Sequence, residues 1–189
     1  PYIISPHGNL NIWSMNQGKI KKYLFLFFLK DFFFKSSAIH FLNIYEKREA
    51  KKFINVTKMN NYILPNVIND EMYKVKNQKQ KQFFKILFFG RFHPKKGIFE
   101  ILDTIKEIKI KKISNIKFLF VGPKVAEHYD NFLKKIDDYK IGDLIEIRDP
   151  VYSFEEKNKL FEEVDIFILP SKDEGDSISI KEALITGTP

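Results

Sequence analysis

Two glutamates stand near the end of this 189-residue chain, Glu174 and Glu182, with seven residues between them. Carboxylates so placed can accept hydrogen bonds from the hydroxyls of a ligand. A second group is cationic. Gly90-Arg91-Phe92-His93-Pro94-Lys95-Lys96-Gly97 directly follows an apolar run and precedes a helical pattern. A helix start offers free N–H groups and the positive end of the helix dipole to an anion. Arginine grips phosphate as a fork, and lysine acts as a point charge. Cations there would stabilise the charge developing on a diphosphate leaving group. Arg91 weighs more than Lys96, because the chain has only Arg48, Arg91 and Arg148, whereas lysine is everywhere. The third candidate is His7, before Gly8, where a lone histidine is more often structural. Glu182 has a plain alternative too. Ser179 and Glu182 fit S-x-x-E, a capping box in which the glutamate only satisfies helix N–H groups.

Each group lies between a strand-like run and a helical one. Residues 165–169 are apolar, and Pro170-Ser171 ends the ladder because proline has no N–H to donate. Residues 172–177 are polar. Ile178, Ile180, Ala183 and Leu184 can then share a helical face up to Gly187. Residues 84–89 are strand-like, and Ile98, Ile101, Leu102, Ile105 and Ile108 follow at helical spacing. Further on come a strand at 116–121, a helix at 127–139 with Phe132, Leu133 and Ile136 inward, a strand at 144–147 and a helix at 154–163. Strict alternation argues an α/β fold with a parallel sheet and right-handed crossovers. Ligands of such sheets bind beyond the carboxyl ends of the strands. The cationic loop is neither a Walker P-loop nor a G-x-G-x-x-G dinucleotide turn.

The first third is less regular. Strands are expected at 2–5, 37–42 and 62–64, and a helix at 45–55. Residues 69–82 have little apolar periodicity and read as a linker. The expected division is 1–68, the end of a first domain; 69–82, linker; and 83–189, a second domain cut at its end. Residues 19–35 are dense in phenylalanine and leucine, but their longest apolar run is too short to span a membrane. The favoured reading is a buried helix with Phe25, Phe28, Leu29 and Phe32 toward the core. The alternative is a helix lying on a membrane surface, with its lysines toward anionic lipid.

Composition is 44% apolar and 30% charged, which is globular rather than disordered. There is no cysteine, which excludes disulfides and thiolate metal sites and suits a reducing compartment. A net charge of +8 would allow nucleic acid or anionic membrane as partners. Lysine, isoleucine, asparagine and phenylalanine are abundant together, a bias of AT-rich coding that accounts for the charge. The phenylalanines fall in apolar runs, not interleaved with arginine as in nucleic-acid readers. Beginning at Pro1 and ending at Pro189, the chain reads as an internal fragment.

Pro170-Ser171, Glu174-Gly175, Glu182-Ala183-Leu184 and Gly187-Thr188-Pro189, with Gly-Arg-x4-Lys-Gly at Gly90 to Gly97, resemble the signatures of retaining glycosyltransferases of family 4. So do Pro6-His7-Gly8 followed by Trp13, and Pro65-Asn66-Val67. The resemblance implies a GT-B fold: a doubly wound parallel-sheet domain preceded by the end of a Rossmann-like one. It implies transfer of a sugar from a UDP- or GDP-linked donor to a saccharide or lipid-linked hydroxyl, with retention, in polysaccharide or glycoconjugate synthesis. Donor-binding residues would be Gly90, Arg91 and Lys96 at the diphosphate, Val151 at the base and Glu182 at the ribose. Backbone N–H groups near Asp176, Ser177 and Ile178 would reach sugar hydroxyls or phosphate. Glu174 would lie by the donor sugar, and His7 would face it. Such enzymes show no clear protein nucleophile, and the leaving phosphate would take the acceptor's proton. No cofactor and no metal are expected, and no nucleic acid. The location would be cytoplasmic, with the inner face of the membrane and peripheral contact to it left open. Asp176 stands where most members carry an aromatic or small residue, so the donor sugar is not given. The glycine-rich acceptor-side loop of the family is absent from this chain, and the alternatives to a transferase are a noncatalytic nucleotide-binding fragment or a basic nucleic-acid-binding module.

Overall fold

A computed structural model describes residues 1–75 and 83–189. Residues 76–82, part of the expected linker, lie outside the described residues. The chain forms two compact units, Pro1–Val67 with Asp173–Ser177, and Ile68–Lys172 with Ile178–Pro189.

The first unit contains β1 (Ile3–Ile4), α1 (Ile12–Asn16), α2 (Lys19–Phe28), α3 (Lys30–Phe34), β2 (Ala38–Phe41), α4 (Ile44–Ala50) and β3 (Asn61–Ile63). The strands pair in parallel in the order β1-β2-β3. Ile39 and Phe41 of β2 are fully buried and pack with Leu10, Met15, Phe33, Ala50 and Val56. The expected core stripe on residues 19–35 is corrected. Leu29 packs on the core as expected, but Phe25, Phe28 and Phe32 are 62%, 78% and 49% exposed, and Leu26 and Phe33 face the core in their place. Residues 23–29 are apolar all round, so spacing cannot select the inward face. The helix also breaks at Leu29 (φ −89°, ψ 3°), which separates α2 from α3.

The second unit contains β4 (Phe84–Phe89), α5 (Ile98–Ile110), β5 (Ile116–Val121), α6 (Ala126–Tyr139), β6 (Ile145–Arg148), α7 (Phe154–Glu163), β7 (Ile166–Phe167) and α8 (Ile178–Ile185). All four strands are parallel, in the order β6-β5-β4-β7. Alternate side chains of a strand face opposite ways, and here both faces are covered. Phe88, Phe118 and Phe120 pack on α5 and α6, while Leu87, Leu119 and Val121 pack on α7 and Ala183 of α8. The sheet is therefore doubly wound, as the alternating pattern predicts. Of the face expected on α8, Ala183 is buried, but Ile178, Ile180 and Leu184 are exposed, while Glu182 and, one residue past the helix, Thr186 are buried. Gly187 ends the helix at φ 69°, with Thr188 N–H bonded to Ala183 C=O at 2.8 Å, a glycine cap.

Candidate functional site

In the second unit the strand order reverses beside β4. From β4 the chain builds outward to β5 and β6, then returns to place β7 on the other side of β4. The crevice at the carboxyl ends of such a pair is the ligand position of open α/β sheets. Two loops arrive there. Residues 90–97 leave β4, and residues 168–172 leave β7. Lys172 N–H donates to Lys95 C=O at 2.8 Å, and the Lys172 ammonium meets Glu100 at 2.8 Å. The loops touch so closely that Gly97, at φ 75°, leaves no room for a side chain. A Cβ there would collide with the carbonyl oxygen of Pro170.

Phe92 pins the cationic loop. It has no exposed surface and meets Phe88, Phe120, Tyr129 and Phe132. Burying such a ring stabilises by about 1.5–3 kcal/mol. Arg91, one residue earlier, is exposed, and its guanidinium makes no hydrogen bond or ion pair among the described residues. Arg148, by contrast, is taken up by Glu146 and Glu163. Arg91 is thus left as a fork at the switch point. Pro94–Lys96 forms a short helical turn ending at Gly97. His93 caps that turn, its Nδ1 accepting the Lys95 N–H at 3.0 Å. Its ring stands edge-on to His128, 4.6 Å between centroids. Burial, then the positive charge of His128, Arg91, Lys95 and Lys96, holds His93 below the ordinary histidine range. A neutral His93 is what the cap requires, because a protonated Nδ1 cannot accept.

Glu182 lies on α8 and is 1% exposed. Its Oε1 accepts from the Tyr73 hydroxyl at 2.7 Å and from the Lys157 ammonium at 2.8 Å. Burial and then the Glu182 carboxylate push the Tyr73 phenol well above its usual value. The alternative of a capping box at Ser179 and Glu182 does not fit, because Ser179 lies inside a helix that starts at Ile178. A complete capping box occurs at Ser153 and Glu156, at the start of α7. Val151, just before it, is half-buried against the cluster that includes Leu87, Leu119, Val121, Leu160 and Phe161. Ile178, the first residue of α8, is exposed, and Gly90 sits between Phe88 and Leu169.

Glu174, Asp176 and Ser177 belong to the first unit, where three asparagines hold residues 173–177. Asn11 donates to Asp173 at 2.7 Å, Asn43 to Gly175 C=O, and Asn66 to Asp176 C=O at 2.8 Å. The Asn66 N–H also donates to the Asp176 carboxylate at 2.6 Å. His7 is exposed and lies at φ 49°, the left-handed region. Non-glycine residues held there cluster at functional sites. The turn is fixed beneath it. Glu46, with no exposed surface, accepts from Gly8 N–H and Leu42 N–H, each at 2.6 Å. Glu49 accepts from Ile12 N–H at 3.1 Å, and the Lys52 ammonium bonded to it holds its carboxyl below the usual range.

Reading the sequence missed Tyr73, Lys157, Glu46 and the asparagine clamps. The Asn43-x-x-Glu46 spacing before α4 was the one local signal, since Asn43 does cap Glu46 N–H at 2.8 Å.

The sequence profile described as glycosyl transferases group 1 matches residues 69–189. No curated protein matches the chain. Solved structures do. Anabaena HepE in complex with UDP and glucose is similar at TM-score 0.79 and 13% identity, over 100% of this chain and 51% of that one. Sucrose-phosphate synthase of Thermosynechococcus elongatus follows at 0.72 and 16%, over 87% and 42%. A mutant of S. aureus TarM in complex with fondaparinux, alpha-GlcNAc-glycerol and UDP gives 0.69 and 20%, over 90% and 31%. The chain thus spans between about a third and about half of these structures, and the likeness is one of fold.

Proposed function

The chain belongs to the glycosyl transferases group 1 family, and from that membership we propose that it moves a sugar from a nucleotide-diphosphate donor to a hydroxyl acceptor with retention. The observation that carries this reading is Arg91, an exposed, uncommitted guanidinium at the switch point, on a loop anchored by Phe92. Arg91 and Lys96 take the diphosphate beside Gly90, Val151 lies by the base and Glu182 serves the ribose. The amides near Asp176, Ser177 and Ile178 serve sugar hydroxyls or phosphate, Glu174 lies by the donor sugar, and strained His7 faces it. Complexes of HepE and TarM contain UDP, which makes UDP the first donor to try and GDP the second. The acceptor is a saccharide or a lipid-linked hydroxyl, the setting cytoplasmic polysaccharide or glycoconjugate synthesis. No resident cofactor or metal is part of the proposal. The division 1–68, 69–82 and 83–189 is kept, with donor binding assigned to the last part.

Calorimetric titration of UDP and GDP tests the donor site. Saturable binding to one of them is expected, and Arg91→Ala should weaken it by about 1.5–3 kcal/mol, the worth of a charge-assisted bond. A folded chain that binds neither nucleotide, or an Arg91→Ala variant that binds equally well, defeats the assignment. The Tyr73 and Lys157 bonds favour a second role for Glu182, as an anchor of α8. Glu182→Ala separates the two. Loss of nucleotide affinity at unchanged stability supports the ribose, and loss of stability at unchanged affinity supports the anchor. The anomeric configuration of the first product, read by NMR, decides retention, and membrane and soluble fractions of the expressing cell decide the setting.

A further inference from the structure

Exposed apolar residues of α2 and α3 line a run of adjoining grooves. Ile20 is 79% exposed, Leu24 54% and Phe27 73%. With Tyr23 and Lys19 they line one groove along α2. Tyr23 and Phe27 continue into a second groove with Lys30, Phe34, Phe53 and Ile54. A third shares Phe53 and Ile54 and adds Lys51, Lys52 and Thr57. All these residues lie within the first unit. Four lysines border the surface and no acidic side chain lines any of the three grooves. Lys52 is engaged by Glu49 at 2.6 Å. Lys19, Lys30 and Lys51 make no ion pair among the described residues.

We propose that this face of α2, α3 and the end of α4 docks on an anionic lipid surface. Exposed aromatic and aliphatic side chains ringed by unpaired lysines are what an interfacial helix presents, the apolar face entering the acyl boundary and the ammonium groups meeting lipid phosphates. Charge selects this occupant over the others. A second copy would bring the same lysines against themselves. Single-stranded nucleic acid would want arginine beside its stacking rings, whereas no arginine lines the face and its rings alternate with the apolar Ile20, Leu24, Leu26, Ile54 and Met59. No helix among the described residues is long and apolar enough to cross a membrane.

The test is cosedimentation of the 189-residue chain with vesicles of phosphatidylcholine alone or mixed with phosphatidylglycerol. Binding should be strong only with the mixed vesicles and should fall with salt. The Lys19→Gln, Lys30→Gln, Lys51→Gln variant should lose about fivefold per lysine. Leu24→Ser with Phe27→Ser should lose more than tenfold. These five side chains are outside the core cluster, so melting curves like that of the unchanged chain are expected. The proposal is overturned by absence of vesicle binding, or by binding that neither variant weakens. It is equally overturned if Leu24→Ser with Phe27→Ser abolishes a dimer seen by ultracentrifugation while vesicle binding stays, or if a single-stranded oligonucleotide binds and vesicles do not.

Discussion

Glu46 shows how much a single buried carboxylate can hold. Two backbone N–H groups, from Gly8 and Leu42, share its two oxygens. Glu46→Gln keeps the shape but turns one oxygen into an N–H donor facing another donor. One buried N–H is then unsatisfied, at a cost of about 1–3 kcal/mol. Urea denaturation should show that loss, and a change below about 0.5 kcal/mol would remove Glu46 as the tie of the His7 turn. His93 makes a pH-dependent prediction. Its value in the fold lies below the ordinary 6.5, through burial first and then its cationic neighbours. On acidification the unfolded chain therefore takes up the proton before the folded chain does. Stability is whole above about pH 6.5 and declines as pH falls from there toward the depressed folded value. Asparagine at this position offers an acceptor oxygen and does not titrate. His93→Asn should thus show a shallower fall in denaturation midpoint between pH 7 and pH 5 than the unchanged chain. Equal slopes would show that His93 does not titrate with folding.

The turn between β4 and α5 stands or falls with Gly97. Its φ of 75° and the approach of the Pro170 carbonyl leave no place for a methyl group. Gly97→Ala must pay for both strain and displacement of the β7 loop, about 2 kcal/mol or more. Thermal melting should report the loss, and nucleotide titration should report weaker binding through Arg91 and Lys96. An unchanged melting point would mean that the two loops separate freely. This turn was readable in advance, because glycine, proline and a helical period each mark it locally. α2 was not, because Leu26 and Phe27 are equally apolar and only the partners present decide which one is inward. Only Ala183 of the face expected on α8 is inward, for a related reason. The other buried residues there are Glu182 and, just past the helix, Thr186, polar residues whose burial depends on Tyr73, Lys157 and helix carbonyls.

Most of what sequence reading left out in the candidate site is non-local. Asn66 meets Asp176 across 110 residues, Tyr73 meets Glu182 across 109, and Asn11 meets Asp173 across 162. Asparagine and tyrosine carry no periodic signal, so nothing short of the fold pairs them. The alternation of strands and helices in the second unit needed no such knowledge, since each element is a local pattern. The two units also differ in the cores they build. The second sheet has central strands of six residues, β4 and β5, covered on both faces. The first has strands of two, four and three residues and one smaller cluster. A smaller core buries less apolar surface against the same chain entropy per residue. The first unit should therefore open before the second, and the chain should not unfold as one two-state body. Native-state hydrogen exchange reads this directly. Amides of Ile39 and Phe41 should exchange at least tenfold faster than those of Leu87 and Leu119. Phe41→Ala, a large-to-small change in a closed core, should cost about 3–5 kcal/mol and shift only the earlier transition. Phe120→Ala should shift the later one. If either substitution moved both transitions by the same amount, the two cores would be one cooperative unit and the ordering argued from strand length would fail.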